Sequence, residues 1–260
     1  MNLFRKLFGE KSLSSIARRT GYVKDQNGIQ NRFVREAKQW ESHLESTKKY
    51  IVESMSVVQQ HNNVAILGSG WLFDVPIDEL ANTFETVDLY DIVHPEQVVV
   101  KMNKYPNVHL KQFDLTNGTV ALAEKCHTFD EFLSLFRNIQ IADFSQYDFV
   151  VSVNLLNQLD IILCDFLVEK FNVQESQLIP IRTLIQQRHI DMLPKGKTCL
   201  ITDYCEENIA IDSPKVETKS LIYCNLPQGD NAEEWLWHFD TNQMYHKGWI
   251  TTMKVRAIRI

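Results

Sequence analysis

One stretch of this chain, Val64–Pro95, limits what the rest can fold into. It opens with an apolar run, Val64-Ala65-Ile66-Leu67, that enters Gly68-Ser69-Gly70. Pro76 and Asp78-Glu79 mark the first turn of a helix bearing Leu80, Ala81 and Phe84. A second apolar run, Val87 to Tyr90, is closed by Asp91. The order is strand, glycine turn, helix, strand, acid. A continuous apolar run suits a parallel strand buried on both faces. Glycines let backbone approach a ligand closely, and the next helix offers its N-terminal amides. An acid about 20 residues further on is placed to accept hydrogen bonds from a ribose. The stretch therefore predicts a parallel α/β sheet that binds a nucleotide-like ligand.

The turn itself discriminates between ligands. A dinucleotide fingerprint needs Gly or Ala at its sixth position, for tight packing of helix on strand. Counted from Gly68, that position is Phe73. The shorter turn with two glycines resembles motif I of the class I S-adenosylmethionine-dependent methyltransferases. Two positions depart from that pattern. Ile66 stands where the family usually has an acid, and Leu72 where its third glycine would fall.

By order and spacing of elements the resemblance runs from Asn63 to Ile260. It implies a single α/β domain (63–260) with a doubly wound, mostly parallel seven-stranded sheet ending in an antiparallel hairpin. Residues 1–62 form a helical N-terminal extension before it. The implied cofactor is S-adenosylmethionine, and the implied reaction is transfer of its methyl group to an unidentified acceptor. Gly68, Ser69, Gly70, Asp91, Ile92, Asp114, Leu115 and Asn154 occupy the cofactor-binding positions.

Charge bears on the acceptor. The net charge is −6, yet residues 1–60 hold eleven Lys/Arg against six Asp/Glu, a balance of +5 that leaves −11 for the remainder. An acidic core disfavours a general nucleic-acid binder, while the basic start keeps a nucleic-acid acceptor open. No apolar run approaches the roughly 18 residues of a membrane span. Met1–Arg19 lacks a signal-peptide core. Five scattered cysteines (126, 164, 199, 205 and 224) contain no CxxC pair. Neither a disulfide framework nor a zinc site is indicated, and a reducing, cytoplasmic setting is expected.

Along the chain, Leu3, Phe4, Leu7 and Phe8 recur at helical spacing and predict a short docking helix. Gly21 and Asn27-Gly28 make Arg18–Asn31 loop and turn. Phe33, Ala37, Trp40, Leu44, Ile51, Met55 and Val58 then trace one face of a long amphipathic helix, with Glu45/Lys49 on its polar side. A helix before the first strand often lids the ligand site in the resembled family, so Arg18, Arg19, Tyr22 and Arg32 are secondary substrate candidates. Pro95–Asn103 reads as a helix and Val108–Phe113 as strand three. Asp114 follows, where the resemblance places the acid that receives the adenine amino group. Ala121–Ile139 reads as helix with a break near His127-Thr128.

Tyr147 to Asn154 resembles strand four of the same family, and Asn154, Asn157 and Gln158 cluster past its end. Pro180 opens a helix to about Leu193, in which Ile181, Leu184, Ile185, His189 and Met192 share a face. Strand five, Thr198–Thr202, ends at Asp203-Tyr204, and Trp235–Phe239 and Thr251–Ile260 form the terminal hairpin. The catalytic candidates are Asn154, His189 and Asp203, with Tyr204 as a further base. Three other readings share these signals: a nicotinamide-dependent oxidoreductase, a non-catalytic partner subunit of the same fold, and a nucleic-acid methyltransferase. Asn154-Leu155-Leu156-Asn157 lacks the Asn-Pro-Pro-aromatic motif of many base-amine methyltransferases.

Overall fold

The computed structural model describes residues 10–260. The helix read at Leu3–Phe8 lies outside them. Strand β1 (Asn63–Leu67) is the centre, with Val64, Ala65, Ile66 and Leu67 fully buried. Burial on both faces is why its sequence does not alternate. It pairs in parallel with β2 (Thr86–Asp91) on one side and β4 (Phe149–Val153) on the other. Beyond β2 lies β3 (Val108–Gln112), also parallel. Beyond β4 comes β5 (Thr198–Ala210), parallel to it, then β8 (Trp249–Arg259) and β7 (Asp230–Asp240), each antiparallel to its neighbour. The order is β3-β2-β1-β4-β5-β8-β7, and β6 (Val216–Ser220) pairs with the outer half of β5. This is the expected seven-strand architecture with one added strand.

Helices cover both faces. On one side, α2 (Tyr22–Met55), α3 (Ile77–Thr83) and α4 (Glu96–Met102) pack through Trp40, Leu80 and Val98 against Ile66, Leu89 and Val151. On the other, α5 (Thr119–Lys125), α6 (Phe129–Phe136), α7 (Ile161–Phe171) and α8 (Glu175–Asp191) pack through Val120, Phe132, Leu163 and Ile181 against Ala65, Leu67 and Val150. The chain runs outward from β1 to β3 and then returns to β4. That reversal opens a crevice at the carboxyl ends of β1 and β4, where open α/β sheets bind ligands.

Several elements depart from the sequence reading. Arg18–Asn31 is not loop: α1 (Glu10–Arg19) reaches the turn at Thr20-Gly21, and α2 begins at Tyr22 and continues through Gly28. Tertiary contacts override the turn propensity there, with Trp71 Nε1 donating to the Gln26 carbonyl at 2.8 Å. The inner face of α2 is displaced and partly polar. Ala37 is exposed, while Glu36, His43, Thr47 and Ser54 are buried. Lys49 pairs with Glu53 at 3.6 Å. Helix α8 starts at Glu175, so Pro180 lies inside it, on the exposed side. Strand β5 passes through Asp203-Tyr204 to Ala210 because β8 and β6 both pair with its outer half. The helix break at His127-Thr128 is real, and Thr128 Oγ1 caps α6 by accepting from Glu131 N at 3.1 Å. Among the described residues no helix is long and apolar enough to cross a membrane.

Candidate functional site

The crevice holds a cavity of about 560 Å³, within the usual range for small-molecule sites. Its first end is the glycine turn. Gly68 and Gly70 have φ of 81° and 44°, and Leu72, where a third glycine was missing, is itself left-handed at 60°. The two glycines serve different ends. A Cβ on Gly68 would meet Leu155 Cβ at 2.9 Å and the Val153 carbonyl at 3.2 Å, so that glycine admits the chain's own β4 loop. A Cβ on Gly70 would make ordinary contact with the Gln26 amide at 3.8 Å, so what calls for glycine there is its left-handed φ. Ser69 Oγ is buried and unpartnered. Phe73 stacks on Phe33 of α2 at 4.0 Å, tying the turn to the helix above it.

Asp91 closes β2 beside this turn. Its carboxylate accepts from Gly70 N at 2.8 Å and from Val93 N at 3.3 Å. Burial pushes the group above the ordinary carboxylate range, against those amides and His94. Asp88 faces away: it accepts from Tyr147 Oη at 2.5 Å and sits 3.5 Å from Lys111 Nζ. Asp114 follows β3 and accepts from Thr116 N (2.8 Å), Thr116 Oγ1 (2.6 Å) and Gly118 N (3.0 Å). Burial raises its carboxyl as well. Ile92 and Leu115 line the same end, and Tyr22 enters from α2 with a buried, unpartnered hydroxyl. Burial and then the charge of Asp114 push the Tyr22 phenol well up.

The other end is built by the loop after β4 and by the antiparallel strands. Asn154 is left-handed at φ 46°, and its Nδ2 donates to Asp74 Oδ2 at 2.7 Å. The same Nδ2 lies 3.3 Å from His43 Nε2, while Trp235 Nε1 donates to His43 Nδ1 at 3.0 Å. Burial lowers His43 to about 3, so the ring is neutral. A neutral ring accepting at Nδ1 carries its proton on Nε2, so the 3.3 Å approach of Asn154 Nδ2 brings two donors together and is not a hydrogen bond. Asp203 and Glu206 both line the cavity although three positions apart. A bulge between Asp203 and Cys205 makes this geometry, because the extra residue returns Glu206 to the face of Asp203. Asp203 Oδ2 accepts from Asn157 Nδ2 at 2.8 Å, and Oδ1 has no partner. Burial, with Glu206 nearby, pushes Asp203 up to about 6.

Two predicted candidates fall away. His189 is buried in the core, its Nε2 bonded to Ser152 Oγ at 2.7 Å, and burial lowers it to about 4. It is a core residue outside the cavity, with Nδ1 buried and unpartnered. Tyr204 is the bulge residue and donates instead to Glu234 at 3.2 Å. Arg19 pairs with Glu124 at 3.1 Å on the surface, and Arg18 is exposed. Arg32 does reach the cavity, its guanidinium over Phe239 and Tyr245 at 4.4 and 5.0 Å. The sequence reading missed His43, Asp74, Glu206 and Trp237. No local pattern marks Asp74. Among the described residues no group of three or more side chains is arranged to hold a metal.

No protein-family model matches the chain, and no curated protein matches it. Solved structures give distant likenesses. The chain is similar to DhpI in complex with S-adenosylhomocysteine, at 10% identity and a TM-score of 0.40 over 90% of this chain and 94% of that one. It is also similar to the N-methyltransferase NodS from Bradyrhizobium japonicum WM9 in complex with S-adenosyl-L-homocysteine, at 10% identity and a TM-score of 0.36 over 82% and 85%. A third is the 1,6-didemethyltoxoflavin-N1-methyltransferase of Burkholderia thailandensis, at 8% identity and 0.36 over 91% and 90%. At such distances these likenesses bring no ligand or acceptor to this chain.

Proposed function

We propose that this protein transfers the methyl group of S-adenosylmethionine to an acceptor bound in the same cavity. The observation that carries the reading is the hydrogen-bonding capacity left at the two strand-end acids. An ionised carboxylate has about four acceptor positions. Asp91 uses two, on Gly70 N and Val93 N, which leaves two for a ribose diol. Asp114 uses three within its own loop, which leaves one for an exocyclic amine. The unpartnered Ser69 and Tyr22 hydroxyls suit the remainder of an adenosyl group.

When bound, S-adenosylmethionine supplies a methyl group already activated on a sulfonium. The protein's work is then alignment and exclusion of water. Asn154 is fixed by Asp74 and Gln158, whose Nε2 donates to the Asn154 carbonyl at 2.6 Å. Its unpartnered Oδ1 offers a dipole for the positive charge that spreads during transfer. Asp203 is the base at the acceptor end. A nicotinamide cofactor fits less well. Phe73 is committed to stacking on Phe33, and no helix begins until Ile77, so the tight packing of a dinucleotide turn is absent here.

The test is mass spectrometry of small molecules released from protein purified under gentle conditions, beside an Asp91→Ala preparation. S-adenosylmethionine or S-adenosylhomocysteine should be recovered from the first and lost from the second. Recovery of a nicotinamide dinucleotide would overturn the reading.

A further inference from the structure

The acceptor end has a charge sign of its own. Three strands place Glu206, Met253 and Trp237 in one row across the sheet, and all three face the cavity. The aromatic wall continues through Trp40 and Phe239, with Trp237 edge-on to both at 4.8 Å. Most charges in this region are committed. Arg182 binds Asp160 and also lies 3.4 Å from Glu175. Arg32 lies over the Phe239 and Tyr245 rings. Glu206 Oε1 accepts from Asn208 Nδ2 at 2.6 Å and meets His246 Nε2 at 3.2 Å. Lys24 and Lys219 are exposed at the mouth, in water. Asp203 is 4% exposed, faces the cavity, and keeps Oδ1 without a partner.

From this geometry we infer that the methyl acceptor is an amine on an aromatic or otherwise apolar body, held by the free oxygen of Asp203 with the body against the Trp40–Trp237–Phe239 wall. The inference rests on the methyl-transfer reading above and names its acceptor class. A buried carboxylate with a vacant oxygen favours a charged N–H donor, whose bond to it is the stronger kind, and the ring wall suits the apolar body. A hydroxyl satisfies the same oxygen but brings no charge to it.

The step balances as follows. An arriving ammonium gives up one proton through Asp203 to water, which frees its lone pair. The nitrogen forms a bond to the methyl carbon while the carbon–sulfur bond breaks, and the sulfur keeps that electron pair as a neutral thioether. The methylated nitrogen, now positive, releases one N–H proton to water through the same carboxylate. Asn157 holds Asp203 in place through Oδ2 and is a positioning residue.

The test loads the full chain with S-adenosylhomocysteine and titrates three isosteric probes by NMR: benzylamine, benzyl alcohol and benzoate. Benzylamine should bind roughly ten- to hundredfold more tightly than benzyl alcohol, and benzoate weakest. Asp203→Asn should bring the amine and alcohol affinities together while S-adenosylhomocysteine still binds as in the wild type, which also reports a folded cavity. Equal affinity for the amine and alcohol in the wild type, or a preference for benzoate, would overturn the inference and leave the cofactor reading intact. Failure of S-adenosylhomocysteine to bind the wild type would instead defeat the reading on which it rests.

Discussion

Asp88 and Asp91 lie on one strand, three residues apart, and their surroundings divide their roles. Asp88 is held by Tyr147 and Lys111, away from the cavity, whereas Asp91 faces the glycine turn. Asp91→Ala removes the acceptor of two ligand hydrogen bonds, at about 1.5–3 kcal/mol for each bond to a charged group. Calorimetry on that variant should show S-adenosylhomocysteine affinity lower by roughly a hundred- to ten-thousandfold. Asp88→Ala should leave affinity near wild type and lose about 1–3 kcal/mol in urea unfolding, because Tyr147 Oη loses its charged acceptor and keeps only the Tyr90 hydroxyl. The reverse order would mean that Asp88 is the ligand acid. Gly68→Val is a poor probe of the ligand, since its side chain would strike Leu155 first. Asp203 carries a different prediction. Its folded value is about 6 against an ordinary 3.8, so burial penalises the ionised form by roughly 3 kcal/mol above pH 6. That penalty fades as pH falls from 6 and is gone below 3.8. Asp203→Asn should therefore melt higher than wild type at pH 7.5, converge with it near pH 4, and be inactive. A variant that melts lower at pH 7.5 would show that the carboxylate stabilises the fold.

At the scale of elements, α2 joins the two halves of the site. Its inner face fastens β7 at three levels. Trp40 Nε1 donates to the Phe239 carbonyl at 3.0 Å, Tyr50 Oη donates to the Asn231 carbonyl at 2.8 Å, and Glu36 accepts from Thr241 Oγ1 at 2.8 Å. Trp40→Ala should cost about 3–5 kcal/mol in urea unfolding, and a chain beginning at Asn62 should fail to fold stably. Wild-type stability in that shortened chain would reject an integral role for the helix. Phe33→Ala removes the stack that holds α2 over the glycine turn, a pair contributing about 0.5–1.5 kcal/mol. It should speed release of S-adenosylhomocysteine by up to roughly tenfold, measured by stopped-flow displacement. The parallel half of the sheet was legible because its strands are short apolar runs punctuated by Gly68, Gly70, Asp91 and Asp114. The antiparallel half was legible as a terminal hairpin but not in its detail. The bulge after Asp203 has no residue signature, and Val216–Ser220 is exposed throughout, so nothing in its pattern announces β6. The polar inner face of α2 was hidden for a similar reason. Glu36 and His43 meet partners about 200 positions away, which no local period records.

In the whole molecule, one cavity spans both halves of the sheet. The parallel half contributes the glycine turn and two acids with spare hydrogen-bonding capacity. The antiparallel half contributes an aromatic wall and one carboxylate with a free oxygen, and α2 closes over both. The sequence placed Gly68, Asp91 and Asp114 at one end of the cavity because they stand at strand ends. At the other end it reached Asn154, Asn157, Asp203 and Arg32, while His189, on an apolar helix face, packs into the core. The chemistry of the whole cavity turns on the identity of the ligand at the glycine turn. Isothermal titration calorimetry of ligand-stripped protein with S-adenosylmethionine, S-adenosylhomocysteine and NAD addresses it most directly. Both adenosyl ligands should bind with Kd of about 10 μM or tighter, and NAD at least roughly a hundredfold more weakly. Absence of heat with either adenosyl ligand at millimolar concentration, or tighter binding of NAD, would contradict the account.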